Sequence, residues 1–205
     1  MASVMRPHDL LRLDVTAVPD QVPDWVERGL GALPWVVVRR ASAPPGRIAV
    51  GVRGRRRAER FATVVGVDTV TEVLTPQALR HRIAPTPHLP ACRALRAARR
   101  TLDGLGLPWG PTGSVAFALA TGAPVVTQDS DLDLVLRADA IPDAGTLTAI
   151  HEALSRLPAP VDCQIEIPSG AVALAELLAG DDRLLLRTSS GPRLVSRPEL
   201  RKARA

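Results

Sequence analysis

The sequence is poor in residues that mark several common classes of protein. Of 205 residues, two are cysteine, two are phenylalanine and none is tyrosine. Cys92 and Cys163 stand far apart and form no recognisable metal or redox motif, which predicts a reducing, cytoplasmic setting. The shortage of aromatic rings argues against nucleic acid as a partner. No apolar run reaches the length of a membrane span, and the first residues lack the pattern of a secretory signal, so we expect no membrane segment.

Arginine carries almost all of the positive charge. The chain has 26 basic and 21 acidic residues, for a formal net charge of +5, and Lys202 is its single lysine. A basic protein favours anionic partners, and the planar arginine fork suits phosphate. The same composition could reflect a G+C-rich genome, so the charge alone leaves both explanations open.

The first half of the chain predicts short, irregular elements. Runs of β-branched residues predict strands at 34–40 and 47–54, and the basic run 55–65 predicts a helix. Thr75-Pro76 predicts the start of a short helix, because proline is favoured at the first helical position. The proline-rich segment 84–90 is typical of a linker.

The second half is more regular. Apolar spacing predicts helices over 91–102, 112–121, the region around Leu147 to Leu157, and 169–178, strands over 131–137 and 161–167, and a terminal hairpin. Helices that alternate with strands indicate an α/β (α+β) protein with a mixed sheet. We expect a smaller α+β domain over residues 1–88, which binds substrate or partner, and a catalytic domain over 89–205, with the donor in the cleft between them.

The most informative stretch is SDLDLVLR, residues 130–137. Side chains alternate across a strand, so Asp131 and Asp133 share one face while the leucines share the other. In VDCQIEI (161–167) the same alternation places Asp162, Gln164 and Glu166 together. If the two strands are neighbours, three carboxylates lie close enough to repel one another unless a cation lies between them, and Mg²⁺ takes one or two carboxylates plus substrate phosphates. The pattern predicts a metal site for phosphoryl or nucleotidyl transfer.

A second motif, GPTGS (110–114), stands directly before a predicted helix. A glycine turn at a helix N-terminus presents backbone N–H groups to an anion. Gly113 would let the backbone approach a phosphate closely, and the Ser114 hydroxyl could donate to a phosphate oxygen. We interpret both as substrate-binding residues, although a glycine-serine pair can also be a simple helix cap.

Gly113-Ser114 followed by SDLDL (130–134) resembles the signature of the polymerase β-like nucleotidyltransferase superfamily. Further segments resemble one family within it, the malonate decarboxylase holo-acyl-carrier-protein synthases, also called phosphoribosyl-dephospho-CoA transferases. These segments are RPHDLLRL (6–13), VGVRGRRRAERFA (50–62), GPTGSVAFALATG (110–122), SDLDLVLRA (130–138), GAVALAELL (170–178) and LLLRTSSGPRLV (184–195).

The resemblance implies a nucleotidyltransferase-like domain that transfers phosphoribosyl-dephospho-CoA from its triphosphate precursor to a serine of the apo acyl carrier protein of malonate decarboxylase, with release of pyrophosphate. Asp131 and Asp133 would then be catalytic and would hold Mg²⁺. Glu166 is the expected third metal carboxylate, with Asp162 as the alternative. Other open alternatives are another acceptor, such as the carrier of citrate lyase or a small molecule, and a basic nucleic-acid-binding module.

Two further sets of residues have two interpretations each. Arg53, Arg55 and Arg57 could bind the phosphates of the donor, or belong to a solvated helix face. Trp109, beside the glycine turn, is most simply a core residue, and the alternative is that it stacks on adenine.

Overall fold

A computed structural model of the chain describes residues 4–14, 22–54 and 58–202. Its contacts divide the chain into two compact units, Met1–Thr75 and Pro76–Ala205. Both units mix helices with strands, which confirms the predicted α+β class. Within the described residues, we find no helix with the length and hydropathy that a bilayer crossing requires.

The first unit is an antiparallel sheet with a helix packed on it, in the strand order β4-β3-β2-β1-β5. Its elements are β1 (Leu10–Leu13), α1 (Asp24–Ala32), β2 (Trp35–Val38), β3 (Arg47–Arg53), β4 (Arg60–Gly66) and β5 (Val70–Leu74). Val26 and Leu30 of α1 share a core with alternate strand residues such as Leu11, Val36 and Val50. This core determines the inward face of each strand, because alternate side chains point to the same side.

The predicted helix over 55–65 is wrong. Residues 55–57 lie outside the described part of the chain, and β4 begins at Arg60. Each residue from Arg47 to Arg53 pairs with one from Gly66 back to Arg60, and Phe61 and Val65 pack into the core. The β-branched residues and the partner strand outweigh the helix propensity of the arginines.

The second unit is a mixed sheet with the strand order β11-β10-β9-β8-β7-β6. Its elements are α2 (Pro76–Leu79), α3 (Pro90–Leu102), β6 (Trp109–Pro111), α4 (Gly113–Thr121), β7 (Leu132–Arg137), α5 (Ala144–Ser155), β8 (Val161–Ile167), β9 (Gly170–Ala173), α6 (Leu174–Leu178), β10 (Arg183–Thr188), β11 (Gly191–Ser196) and α7 (Arg197–Lys202). Strands β7 and β8 are parallel, and the neighbouring pairs are antiparallel. Most predicted helices and strands of this half, and the terminal hairpin, are confirmed.

The predicted helix over 169–178 is only half correct. Residues 170–173 form strand β9, and helix α6 covers the rest. Gly170 has a φ of +153°, and a Cβ atom there would come within 2.6 Å of the carbonyl oxygen of Arg187. The chain thus approaches β10 closely at this glycine and pairs with β8, which makes Ala171 and Val172 buried strand residues.

The first unit ends at Thr75 and the second begins at Pro76. This boundary comes earlier in the chain than residue 88, where the proline-rich segment predicts it. Helix α2 packs on β6 of the second unit, where a Cβ atom on Gly110 would overlap the carbonyl oxygen of Pro76. A proline-rich segment predicts a break in regular structure, but it does not show which unit the preceding residues contact. Composition alone therefore placed the domain boundary too late in the chain.

Candidate active site

The two predicted catalytic aspartates lie at the start of β7. Asp131 directly precedes the strand, Asp133 is its second residue, and both are half-buried. Leu132, Leu134 and Leu136 are almost fully buried on the opposite face. Burial of three leucines resists any one-residue slip of the strand, since a slip would exchange the two faces. The leucines therefore keep both carboxylates on the same face.

The glycine turn lies against Asp133. The backbone N–H of Thr112 donates to the carbonyl oxygen of Asp133 at 2.8 Å. Gly113 has a φ of +60°, and a Cβ atom there would overlap Oδ2 of Asp133. Ser114, 9% exposed, follows in the first turn of α4. The structure therefore brings Gly113 against the carboxylate of Asp133, and Ser114 is the next residue along the chain.

Asp162 lies beside Asp133 on the neighbouring strand. Strands β7 and β8 run parallel, and their register pairs Asp133 with Asp162. Neighbouring strands are about 4.8 Å apart, and paired residues point to the same face. Asp162 is exposed, so its carboxylate is accessible from solvent. It is therefore the carboxylate of β8 nearest to the aspartate pair.

Glu166 lies elsewhere on the strand. The register pairs it with Arg137, four residues beyond Asp133, which is about 13 Å along the strands. Its Oε1 accepts from Nε of Arg137 at 3.1 Å, and Nη1 of Arg137 donates to Gln77 at 3.0 Å. Both members of the ion pair are about nine-tenths buried. The structure thus does not bring Glu166 to Asp131 and Asp133, and it gives this residue a different partner.

Asp131 and Asp133 fit a metal ion that takes few protein ligands. In the part of the chain that the structure describes, no group of three His, Cys, Asp or Glu side chains is placed to hold a metal. Mg²⁺ does not require such a group, because it is commonly held by one or two carboxylates with water and substrate phosphates. The half-buried Asp131 and Asp133 supply two such carboxylates, and the N-terminus of α4 at Gly113 lies against the second of them.

Both parts of the chain match models of one protein family. Residues 6–76 match the model of the phosphoribosyl-dephospho-CoA transferase MdcG N-terminal domain, and residues 78–198 match that of the MdcG C-terminal domain. The chain belongs to this family. No solved structure matches it significantly.

Curated relatives cover nearly the whole chain. A phosphoribosyl-dephospho-CoA transferase of Pseudomonas syringae pv. tomato is 43% identical over 201 residues, or 96% of this chain and 94% of the relative. Those of Pseudomonas putida and Pseudomonas aeruginosa are each 42% identical and cover 94% of this chain, with 94% and 92% of the relatives covered. The two matched domains also divide within three residues of the boundary between the two compact units.

The predicted arginines belong to the first unit. Arg53 ends β3, where it pairs across the sheet with Arg60, and is half-buried. Arg55 and Arg57 lie outside the described residues. One interpretation placed this basic run on a solvated helix face. It does not hold for Arg60, because that residue begins strand β4.

Trp109 is a core residue. It is fully buried, its Nε1–H donates to Oδ1 of Asp103 at 3.0 Å, and the guanidinium of Arg80 lies 5.6 Å from the centre of its ring. These neighbours leave no face of the indole for a base, so the adenine-stacking alternative is wrong.

Sequence reasoning missed two contacts made by residues of β7. The first is the hydrogen bond from Thr112 to the backbone of Asp133, and the second is the buried pair of Arg137 and Glu166. An arginine on the same strand face as Asp131 and Asp133 was a usable signal for the second, because a buried arginine requires an anion.

Proposed function

We propose that this protein transfers phosphoribosyl-dephospho-CoA from triphosphoribosyl-dephospho-CoA to a serine of the apo acyl carrier protein of malonate decarboxylase. Family membership supports the transferred group, and the paired aspartates support a metal-dependent transfer at phosphorus. The observation that carries the proposal is the contact of Gly113 with Asp133, because it joins an anion-binding helix end to a carboxylate pair.

The reaction needs positioning more than covalent chemistry. The serine Oγ attacks the α-phosphorus, the Oγ–P bond forms, and the P–O bond to pyrophosphate breaks. Gly113 and Ser114 at the start of α4 would hold the phosphate oxygens, since backbone N–H groups there lack helical partners. The serine proton passes to a carboxylate, and Asp162 is suited to accept it because it is exposed and lies beside Asp133.

Asp131 and Asp133 would hold Mg²⁺, and the third carboxylate, Asp162 rather than Glu166, would lie beside them as the proton acceptor and not as a metal ligand. Bound there, Mg²⁺ supplies charge neutralisation for the phosphates and the pyrophosphate leaving group. A phosphate at the α4 N-terminus would otherwise be repelled by Asp133, whose carboxylate touches the same turn.

Intact-mass spectrometry of the carrier tests this proposal. Wild-type protein, Mg²⁺, the triphosphate donor and the apo carrier should give a mass gain equal to phosphoribosyl-dephospho-CoA. Asp131→Asn and Asp133→Asn should give none while they keep the wild-type melting temperature. Asp129→Asn is the matched control, because Asp129 is exposed in the turn before β7, and it should transfer normally.

No mass gain with the wild type, given an active donor and a folded carrier, would reject this acceptor. The same assay with the citrate lyase carrier would then separate a wrong acceptor from a wrong reaction. Transfer that survives both Asp→Asn changes would reject the assigned metal site.

A further inference from the structure

The second unit contains a long stretch of chain with positive charge only. Between Glu72 and Asp103 there are six arginines and two histidines, and neither aspartate nor glutamate occurs. This stretch covers α2, the following loop and the whole of α3. It is separate from the arginine-rich run 53–60 of the first unit.

Helix α3 buries one face in the core and carries its exposed arginines on the other face. Ala91, Ala94, Leu95, Ala98 and Leu102 are buried. Arg93, Arg96 and Arg100 are exposed on the other side. Against the described residues of the chain, these three arginines form no ion pair.

The charge pattern on α3 is unfavourable for an isolated helix. Arg96 and Arg100 are four residues apart and Arg93 and Arg96 three apart, and like charges at these spacings repel. Arg93 also lies near the helix N-terminus, where the helix dipole disfavours a cation. An acidic partner would relieve both effects.

The loop that carries Ile83, an exposed aliphatic residue, is tied to α3 through Arg99. Nη2 of Arg99 donates to the carbonyl oxygen of Arg82 at 3.1 Å, which fixes the loop to α3 at the peptide that joins Arg82 to Ile83. Ile83 is 85% exposed, more than the other large exposed apolar residues of the described chain, Val4, Leu194 and Val67. An exposed apolar residue that directly follows Arg82 and is tied to an arginine-rich helix has the composition of a protein-binding hot spot.

We propose that Arg82, Ile83, Arg93, Arg96 and Arg100, which we call the Ile83 surface, form the docking surface for the acceptor protein. The inference rests on the proposed function, since that function requires a protein acceptor. The surface fits a small acidic protein that offers carboxylates around an apolar notch. The exposed side of α3 lies about one helix diameter, roughly 10 Å, from β7, because α3 packs against that strand. A small domain seated on it is therefore within reach of the strand that carries Asp133.

Ile83 favours a protein over nucleic acid as the occupant. Single-stranded nucleic acid is bound by aromatic rings interleaved with basic groups, and the stretch from 73 to 102 contains no Phe, Tyr or Trp. An aliphatic side chain adds little to phosphate binding, whereas it fills a pocket in a protein partner.

The test measures the KM for apo carrier and the direct binding of fluorescently labelled apo carrier. Arg96→Glu/Arg100→Glu should raise the KM for the carrier and its dissociation constant by at least about tenfold at low salt, with the KM for the donor and kcat at saturating carrier unchanged. Arg47→Glu/Arg156→Glu, which changes the net charge equally at exposed sites elsewhere, should leave both constants unchanged. Ile83→Ser should weaken binding by about fivefold, whereas Leu194→Ser, at another exposed apolar site, should not.

The possible outcomes separate this inference from the proposed function. If the wild type transfers the group and the Ile83-surface variants behave like their controls, the docking surface is wrong and the function stands. If the wild type neither binds nor modifies the carrier, the proposed acceptor is wrong and the docking inference fails with it. If the variants lose affinity for a labelled single-stranded RNA and keep the carrier KM, the surface binds nucleic acid and the inference is overturned.

Discussion

Gly113 touches the carboxylate of Asp133 so closely that a Cβ atom at position 113 would overlap Oδ2. Its φ of +60° is also one that side chains disfavour. Two independent constraints therefore require glycine here, one from the backbone and one from the neighbouring side chain. The contact joins the start of α4 to the start of β7, which are the two places where the sequence motifs stand.

We expect Gly113→Ala to abolish transfer with a modest loss of stability. The left-handed backbone costs alanine about 1–2 kcal/mol, and the overlap would displace the Asp133 carboxylate. Gly122→Ala is the control, because Gly122 has a φ of +74° at the other end of α4 but nothing within 4 Å of an added Cβ. Thermal unfolding should show similar losses for both variants, and only Gly113→Ala should fail in the transfer assay. Equal activity of the two would mean that the close contact has no role.

Asp162→Asn should lower activity without a loss of stability, whereas Glu166→Gln should lower stability. Asp162→Asn should keep the melting temperature and lower kcat, with the pH profile of kcat changed, because a proton acceptor is lost. Glu166→Gln should lower the free energy of unfolding by about 3 kcal/mol, since it removes the carboxylate that pairs with the buried Arg137 guanidinium. A double variant, Arg137→Met/Glu166→Leu, should recover part of that stability, as two apolar side chains leave no buried charge. Loss of turnover at wild-type stability in Glu166→Gln would restore Glu166 as a metal ligand.

Both cysteines should resist thiol reagents in the folded protein. Burial raises the pKa of the Cys163 thiol far above its usual range, with Asp162 adding to the shift, and burial also raises the pKa of Cys92. Reaction requires thiolate, so at pH 8 both should react with a disulfide reagent much more slowly than a free cysteine of pKa about 8.5. Denaturant should make both react at once. Rapid labelling of Cys163 in the native protein would show that the start of β8 opens readily.

Asp143 should stabilise α5 in a pH-dependent way. Its carboxylate accepts from the Thr146 hydroxyl at 2.7 Å and the Thr146 backbone N–H at 3.0 Å, and these hydrogen bonds lower the pKa of Asp143. A lowered folded-state pKa gives a contribution that is present above the unfolded pKa, about 3.9, and is lost as the pH falls through the folded-state value. Asp143→Ala should therefore lower the melting temperature at pH 7 by more than at pH 3. A difference that does not depend on pH would assign the effect to helix propensity.

Local patterns were sufficient for the parts of the site that lie close together in the chain. The period of two in SDLDLVLR placed Asp131 and Asp133 on one face, and the buried leucines on the other face follow from the same alternation. Gly113, Ser114 and the helix that ends at Gly122 were equally readable, because a left-handed glycine and a helix terminus are properties of a few adjacent residues.

The tertiary structure decided what depends on contacts distant in sequence. Alternation puts Asp162 and Glu166 on one face of β8, but only the register with β7 determines that Asp162 lies beside Asp133 and Glu166 beside Arg137. Pairing with β3 made a strand of the residues from Arg60 onward, and packing around Asp103 and Arg80 closed Trp109 to ligands. Local sequence determines which residues of a single helix or strand share a face. The level at which two elements meet is determined by the free energy of packing and pairing over the whole sheet.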